Sequence, residues 1–125
     1  MILGLGIDLL ENGRVEQELV RGEWLPDEGI FTPEEISYCR SAGRPALRYA
    51  ACFAAKEATL KALGVQADDL AMFHEIEVGP GIGSQHTILL RDRLKTESEQ
   101  LGVRRIGLSI AHSGNHTAAI VILED

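Results

Sequence analysis

Glu57 and Lys61 stand four residues apart in the stretch Ala50-Ala51-Cys52-Phe53-Ala54-Ala55-Lys56-Glu57-Ala58-Thr59-Leu60-Lys61-Ala62-Leu63. At helical spacing they share a face, where a carboxylate and an ammonium can hold a metal ion and a phosphate side by side. The same spacing also suits an ordinary surface pair contributing about 0.3–0.5 kcal/mol. Asp8 is the other notable acid. It interrupts the apolar run Ile2-Leu3-Gly4-Leu5-Gly6-Ile7-Asp8-Leu9-Leu10, and burying it unpaired costs several kcal/mol. It therefore needs a cation, strong donors, or the start of a following helix to cap. Two carboxylates that leave coordination positions open for water and a substrate phosphate are the usual way of binding Mg²⁺. Asp8 and Glu57 form a candidate pair of that kind.

The apolar run Ile2 to Leu10 suits a strand covered on both faces. Asn12 is placed to cap a helix running to about Val20. Thr32-Pro33-Glu34-Glu35 combines a capping box with proline at the first helical position, so a helix starts there and ends near Ser41-Ala42-Gly43. A longer helix is expected from about Pro45 to Leu63, closed by Gly64. It is apolar almost all round, which predicts cover on most sides. Glu75 to Val78 alternates like a half-buried strand, Gly79 to Ser84 reads as a loop, and His86 to Leu90 reads as another strand. Arg91 to Leu101 has helical composition. Ile106 to Ala111 and Thr117 to Leu123 form a hairpin around Ser113-Gly114-Asn115. Both alternating faces of the last strand are apolar, which points to an oligomer. The fold class is α+β, an antiparallel sheet with a buried central helix, in one domain over residues 1–125.

The chain has 125 residues and a formal charge of −7. That length is enough to bury roughly 65–70% of the surface the unfolded chain exposes. The acidic balance argues against nucleic acid or an anionic membrane as partner, because both require a basic face. Ile2 to Leu10 is too short to span a bilayer. Cys39 and Cys52 lie in helical stretches without a disulfide framework, and no signal peptide is expected ahead of Met1, so a cytoplasmic location is expected.

Three blocks occur in order: Gly4-Leu5-Gly6-Ile7-Asp8-Leu9, then Phe53-Ala54-Ala55-Lys56-Glu57-Ala58 with Lys61-Ala62-Leu63-Gly64, then Ser109-Ile110-Ala111-His112 before a final apolar strand. With Phe31-Thr32-Pro33-Glu34-Glu35 and Tyr38, this set resembles the holo-acyl-carrier-protein synthase family, the small phosphopantetheinyl transferases. The resemblance implies a homotrimer with active sites between subunits. It also implies coenzyme A as substrate, Mg²⁺ (or Mn²⁺) as cofactor, and a serine of an apo acyl or peptidyl carrier protein as acceptor. By position in the motifs it implies Asp8 and Glu57 as metal ligands, with Lys61 beside them in catalysis. The coenzyme contacts it implies are Lys61, Gly64, His112, Ser113 and Arg44. A specialised or non-transferring coenzyme A-binding trimer with a dedicated partner is the alternative.

The chain departs from the family pattern at three places. Cys52 stands where members commonly have Arg. A Gly-Lys-Pro turn between the middle strands is not evident. The helix after Asp8 is usually basic, whereas here Arg14 and Arg21 are mixed with Glu11, Glu16, Glu18 and Glu23; Arg40, Arg44 and Arg48 offer a substitute patch. Other residues invite blander readings. His112 reads as a strand-end histidine with a backbone partner, and a zinc pair with His116 lacks the usual ligand spacing. Gly79, Gly81 and Gly83 lack the Lys-Ser/Thr of a phosphate loop and read as a connection. Cys39 and Cys52 read as buried apolar groups, and Trp24 as a packing or docking residue.

Overall fold

The structure, a computed structural model, describes residues 1–22, 29–80 and 86–125. Trp24, Gly81 and Gly83, and the readings made for them, lie outside the described residues. In chain order the elements are β1 (Ile2–Glu11), α1 (Asn12–Arg21), α2 (Pro33–Arg40), α3 (Pro45–Leu63), a 3₁₀ helix (Leu70–Glu75), β2 (Ile76–Pro80), β3 (His86–Leu90), α4 (Asp92–Leu101), β4 (Arg105–Ser113) and β5 (His116–Glu124). Two antiparallel sheets result, one ordered β1-β5-β4 and one pairing β2 with β3. Gly79 and Pro80 belong to β2 rather than to the loop expected there, because they continue its register opposite Thr87 and His86.

α3 lies against the three-stranded sheet, and its expected boundaries hold. Pro45 occupies its first turn, and Gly64 closes it in the left-handed region at φ 71°. α2 starts on the expected capping box, with Thr32 and Glu35 bonding reciprocally. Asn12, however, does not cap α1. Glu11 holds the cap position without a side-chain bond, and the hairpin turn between β4 and β5 satisfies the first helical donors instead. Asn115 accepts the backbone N–H of Asn12 on its carbonyl (2.7 Å) and that of Gly13 on its side-chain oxygen (3.1 Å).

The core is bounded on one side by Ala119, Val121 and Leu123 of β5 and on the other by the alanines of α3. β1 reaches α3 through its glycines. A Cβ on Gly4 would overlap the Ala62 carbonyl oxygen, and one on Gly6 the Ala58 carbonyl oxygen. The glycines let strand and helix backbones touch. The opposite face of β1 is bare within one chain, with Leu5 at 64%, Ile7 at 58% and Leu9 at 64% exposure beside Ile120 of β5 at 39%. The expected cover on both faces is therefore supplied on one face only.

A buried ion pair fastens α3 to the other layer. Lys56 donates to a Glu35 carboxylate oxygen (2.6 Å) and to the carbonyls of Ile30 (2.7 Å) and Phe73 (2.9 Å). Glu35 in turn accepts the backbone N–H of Thr32 (2.8 Å) and of Val78 (2.7 Å). All three ammonium protons thus have acceptors, which a charge wholly removed from water requires.

Candidate active site

Strand alternation puts Gly4, Gly6 and Asp8 on the α3 side of β1. Because the glycines draw β1 onto the helix, Asp8 arrives beside Glu57 and Lys61. The Asp8 side chain is 13% exposed, and Lys61 donates to its Oδ1 at 3.0 Å and to the Ile7 carbonyl at 3.1 Å. Of the readings open for Asp8, the structure selects pairing with a cation; the cap of α1 falls to Glu11. Lys61 takes Asp8 as its partner rather than serving only as the helical neighbour of Glu57.

Oδ2 of Asp8 is buried and has no hydrogen-bond partner among the described residues. Glu57 is half-buried, and its carboxyl is pushed above the usual range, first by burial and then by the charge of Asp8, against the opposing effect of Lys61. The two acids line one cavity of about 420 Å³ with Phe53 of α3 and with Arg14, Val15 and Glu18 of α1. The cavity lining carries the carboxylates of Asp8, Glu11, Glu18 and Glu57 against the guanidinium of Arg14, with Lys61 bonded to Asp8, so negative charge is left uncompensated and the bare Oδ2 offers a ligand atom. This donor set fits a hard divalent cation, which takes oxygen ligands and tolerates incomplete protein coordination.

The remaining predicted residues lie elsewhere. His112, at the end of β4, lines a second cavity of about 200 Å³ with Tyr38, Arg48, Cys52, Val78 and His86, among others. Its Nδ1 meets Thr117 Oγ1 at 2.7 Å, a side-chain partner in place of the backbone one expected. Burial, and then the nearness of His112, hold His86 below its ordinary range. Ser113 closes β4 opposite His116. Gly64 ends α3 about two turns past Glu57, whereas Arg44 precedes the first turn of the same helix, 3.5 Å from Glu16. Arg44 and Lys61 are therefore separated by roughly 25 Å along α3 at ~1.5 Å per residue. The suggested arginine patch is dispersed onto separate partners: Arg44 meets Glu16, while Arg48 stacks 4.1 Å over the Tyr38 ring and bonds its carbonyl. Cys39 and Cys52 are buried, as expected, with their sulfurs 3.9 Å apart.

Sequence reasoning missed Thr117, His86 and the Lys56–Glu35 pair, and read Asn12 as a cap rather than as the partner of Thr117. The buried polar signal of Lys56 was present inside an apolar helix, but its partner lies on another element. The two glycines before Asp8 also carried more information than their type suggests, since each marks a backbone contact.

A family model described as ACPS, the 4′-phosphopantetheinyl transferase superfamily, matches residues 4–121. The chain belongs to this superfamily. Among similar curated proteins, a holo-[acyl-carrier-protein] synthase of Koribacter versatilis is 40% identical, with 100% of both chains covered. One of Trichlorobacter lovleyi is 41% identical over 99% of this chain and 98% of its own. Among superfamily structures, the holo-[acyl-carrier-protein] synthase of Neisseria meningitidis aligns with a TM-score of 0.87 at 29% identity, covering 100% of both chains. The ACPS–CoA complex of Chronobacterium ammoniagenes aligns at 0.80 and 27% identity, covering 96% of this chain and 95% of that one.

Proposed function

We propose that this chain is a holo-acyl-carrier-protein synthase that transfers the 4′-phosphopantetheine group of coenzyme A to a serine of an apo acyl carrier protein. The observation that carries this reading is the meeting of Asp8 and Glu57 at one cavity, with Lys61 bonded to Asp8 Oδ1 and with Asp8 Oδ2 unpartnered among the described residues. Asp8 and Glu57 would hold Mg²⁺ or Mn²⁺, which when bound supplies positive charge to neutralise the pyrophosphate as its bond breaks. The rest follows from side chains. The serine Oγ attacks the β-phosphorus of the coenzyme pyrophosphate, and the bond from that phosphorus to the bridging oxygen breaks. Glu57 of α3, beside Asp8, orients the serine hydroxyl and takes its proton. Lys61 neutralises the departing phosphate, and adenosine 3′,5′-bisphosphate leaves.

The same reading includes a homotrimer acting in the cytoplasm. Two observations support assembly: the bare apolar face of Leu5, Ile7, Leu9 and Ile120, and the placing of Arg44 at the far end of α3 from Lys61 and of His112 at a cavity other than that of Asp8 and Glu57. A coenzyme spanning both groups then takes its metal-side contacts from one subunit and the Arg44 and His112 contacts from the next. Ile7→Glu places a charge on that face and is expected to yield a folded monomer by light scattering and circular dichroism, with transfer lost. A wild-type protein that sediments as a monomer overturns the assembly.

The direct test is mass spectrometry of a panel of apo carrier proteins incubated with this protein, coenzyme A and Mg²⁺. A phosphopantetheine mass gain that vanishes with a chelator and returns on adding metal is the expected result. Coenzyme binding with no gain on any carrier overturns transfer in favour of a binding subunit with a dedicated partner.

A further inference from the structure

Thr117 is fully buried and Asn12 is 3% exposed, and neither belongs to the carboxylate cavity. Thr117 Oγ1 donates to Asn12 Oδ1 at 2.6 Å and lies 2.7 Å from His112 Nδ1. A hydroxyl has one proton to give. With that proton committed to Asn12, Thr117 can only accept from the imidazole. The neutral ring must then carry its proton on Nδ1, which leaves Nε2 with the free lone pair. We infer that Asn12 and Thr117 are positioning residues that hold His112 in the Nδ1–H tautomer and present Nε2 to whatever occupies the cavity shared with Arg48 and His86.

The anchor itself is held firmly. Thr117 faces His112 directly across the β4–β5 pair. Asn12 is pinned by its backbone N–H to the Asn115 carbonyl in the turn of that hairpin. Three segments thus fix the hydroxyl that meets the imidazole: β5 carries it, the start of α1 accepts its proton, and the hairpin turn holds Asn12. The direction of the hydrogen bonds has a chemical consequence. Because Nδ1 donates, the ring can take a second proton on Nε2 without losing its bond to Thr117. It can then donate to an anionic oxygen, such as a phosphate oxygen, in an unchanged orientation. The reverse polarity, with Thr117 donating to Nδ1, would break the anchor whenever the ring became charged. A partner on one ring nitrogen that sets the role of the other is a general device of histidine sites.

The ligand assignment, but not the tautomer, rests on the reading that coenzyme A occupies this cavity. The test is long-range ¹H–¹⁵N correlation NMR on the full chain, assigning His112 in the wild type, Thr117→Val and Thr117→Ser. Expected are the Nδ1–H tautomer in the wild type and in Thr117→Ser, and its loss in the isosteric Thr117→Val. Coenzyme A titrations should show binding about tenfold weaker in Thr117→Val, the order for losing one orienting hydrogen bond, with recovery in Thr117→Ser. An Nε2–H ring in the wild type overturns the inference, and that spectrum needs no variant to fold. An unchanged tautomer in Thr117→Val overturns it equally. His112→Ala separates the two readings: unaltered coenzyme affinity there removes coenzyme A from this cavity, while the tautomer result stands or falls by itself.

Discussion

Glu57→Gln is expected to lower the rate of phosphopantetheine transfer by about 10²–10⁴-fold, the range associated with a general base, while the protein stays folded. The substitution keeps the side chain's size and removes a charge that the fold itself disfavours. Burial and the neighbouring Asp8 raise the Glu57 carboxyl above its ordinary range. A carboxyl raised in this way favours the folded state while it is protonated. Its contribution is complete below the unfolded-state value and is lost as pH climbs through the folded-state value. Glutamine keeps the neutral form at every pH. In metal-free protein at neutral pH, the variant should therefore melt at the same temperature as the wild type or higher, and the difference should disappear in acid. Calorimetry at two pH values with a single-turnover transfer assay separates these effects. Transfer retained within tenfold by a folded variant removes Glu57 from the chemistry, and a large drop in melting temperature would contradict the electrostatic account.

The largest expected loss of stability comes from Gly6→Ala. A methyl group there would run into the Ala58 carbonyl oxygen and sit 2.8 Å from the Ala62 nitrogen, both backbone atoms of α3. Side chains can rotate away from an added carbon, but a helix backbone inside a packed layer cannot. The cost should exceed the ~1–3 kcal/mol typical of overpacking. The variant should either fail to accumulate or melt well below the wild type. Any folded fraction should be poorly active as well, since lifting β1 off α3 carries Asp8 away from Glu57 and Lys61. Thermal unfolding followed by circular dichroism gives the first answer. A variant as stable and active as the wild type would show that β1 and α3 do not meet through their backbones.

The elements themselves were legible in the sequence where local chemistry decides them. Pro45 and Gly64 mark the ends of α3, Thr32 and Glu35 start α2, and a two-residue turn at Gly114 and Asn115 joins β4 to β5. Each signal acts over a few residues, through a missing amide proton, a left-handed backbone or a reciprocal cap. Asp8, Glu57 and Lys61 stood out for a related reason, as charges in segments otherwise committed to burial.

Tertiary structure alone decided how the charges were partnered. Helical spacing placed Lys61 near Glu57, but the close approach of β1 gave it Asp8 instead. The capping signal of Asn12 was overridden because Asn115, brought in by the hairpin, already satisfied the first helical donors. That freed the Asn12 side chain to meet Thr117. Lys56 could be seen as an isolated charge in an apolar helix, yet its three acceptors come from separate segments on the far side of the core. A buried polar group must find a partner, so its type in the sequence announces the need. Which partner answers depends on which backbones are brought within about 3 Å, and that follows from how the layers pack.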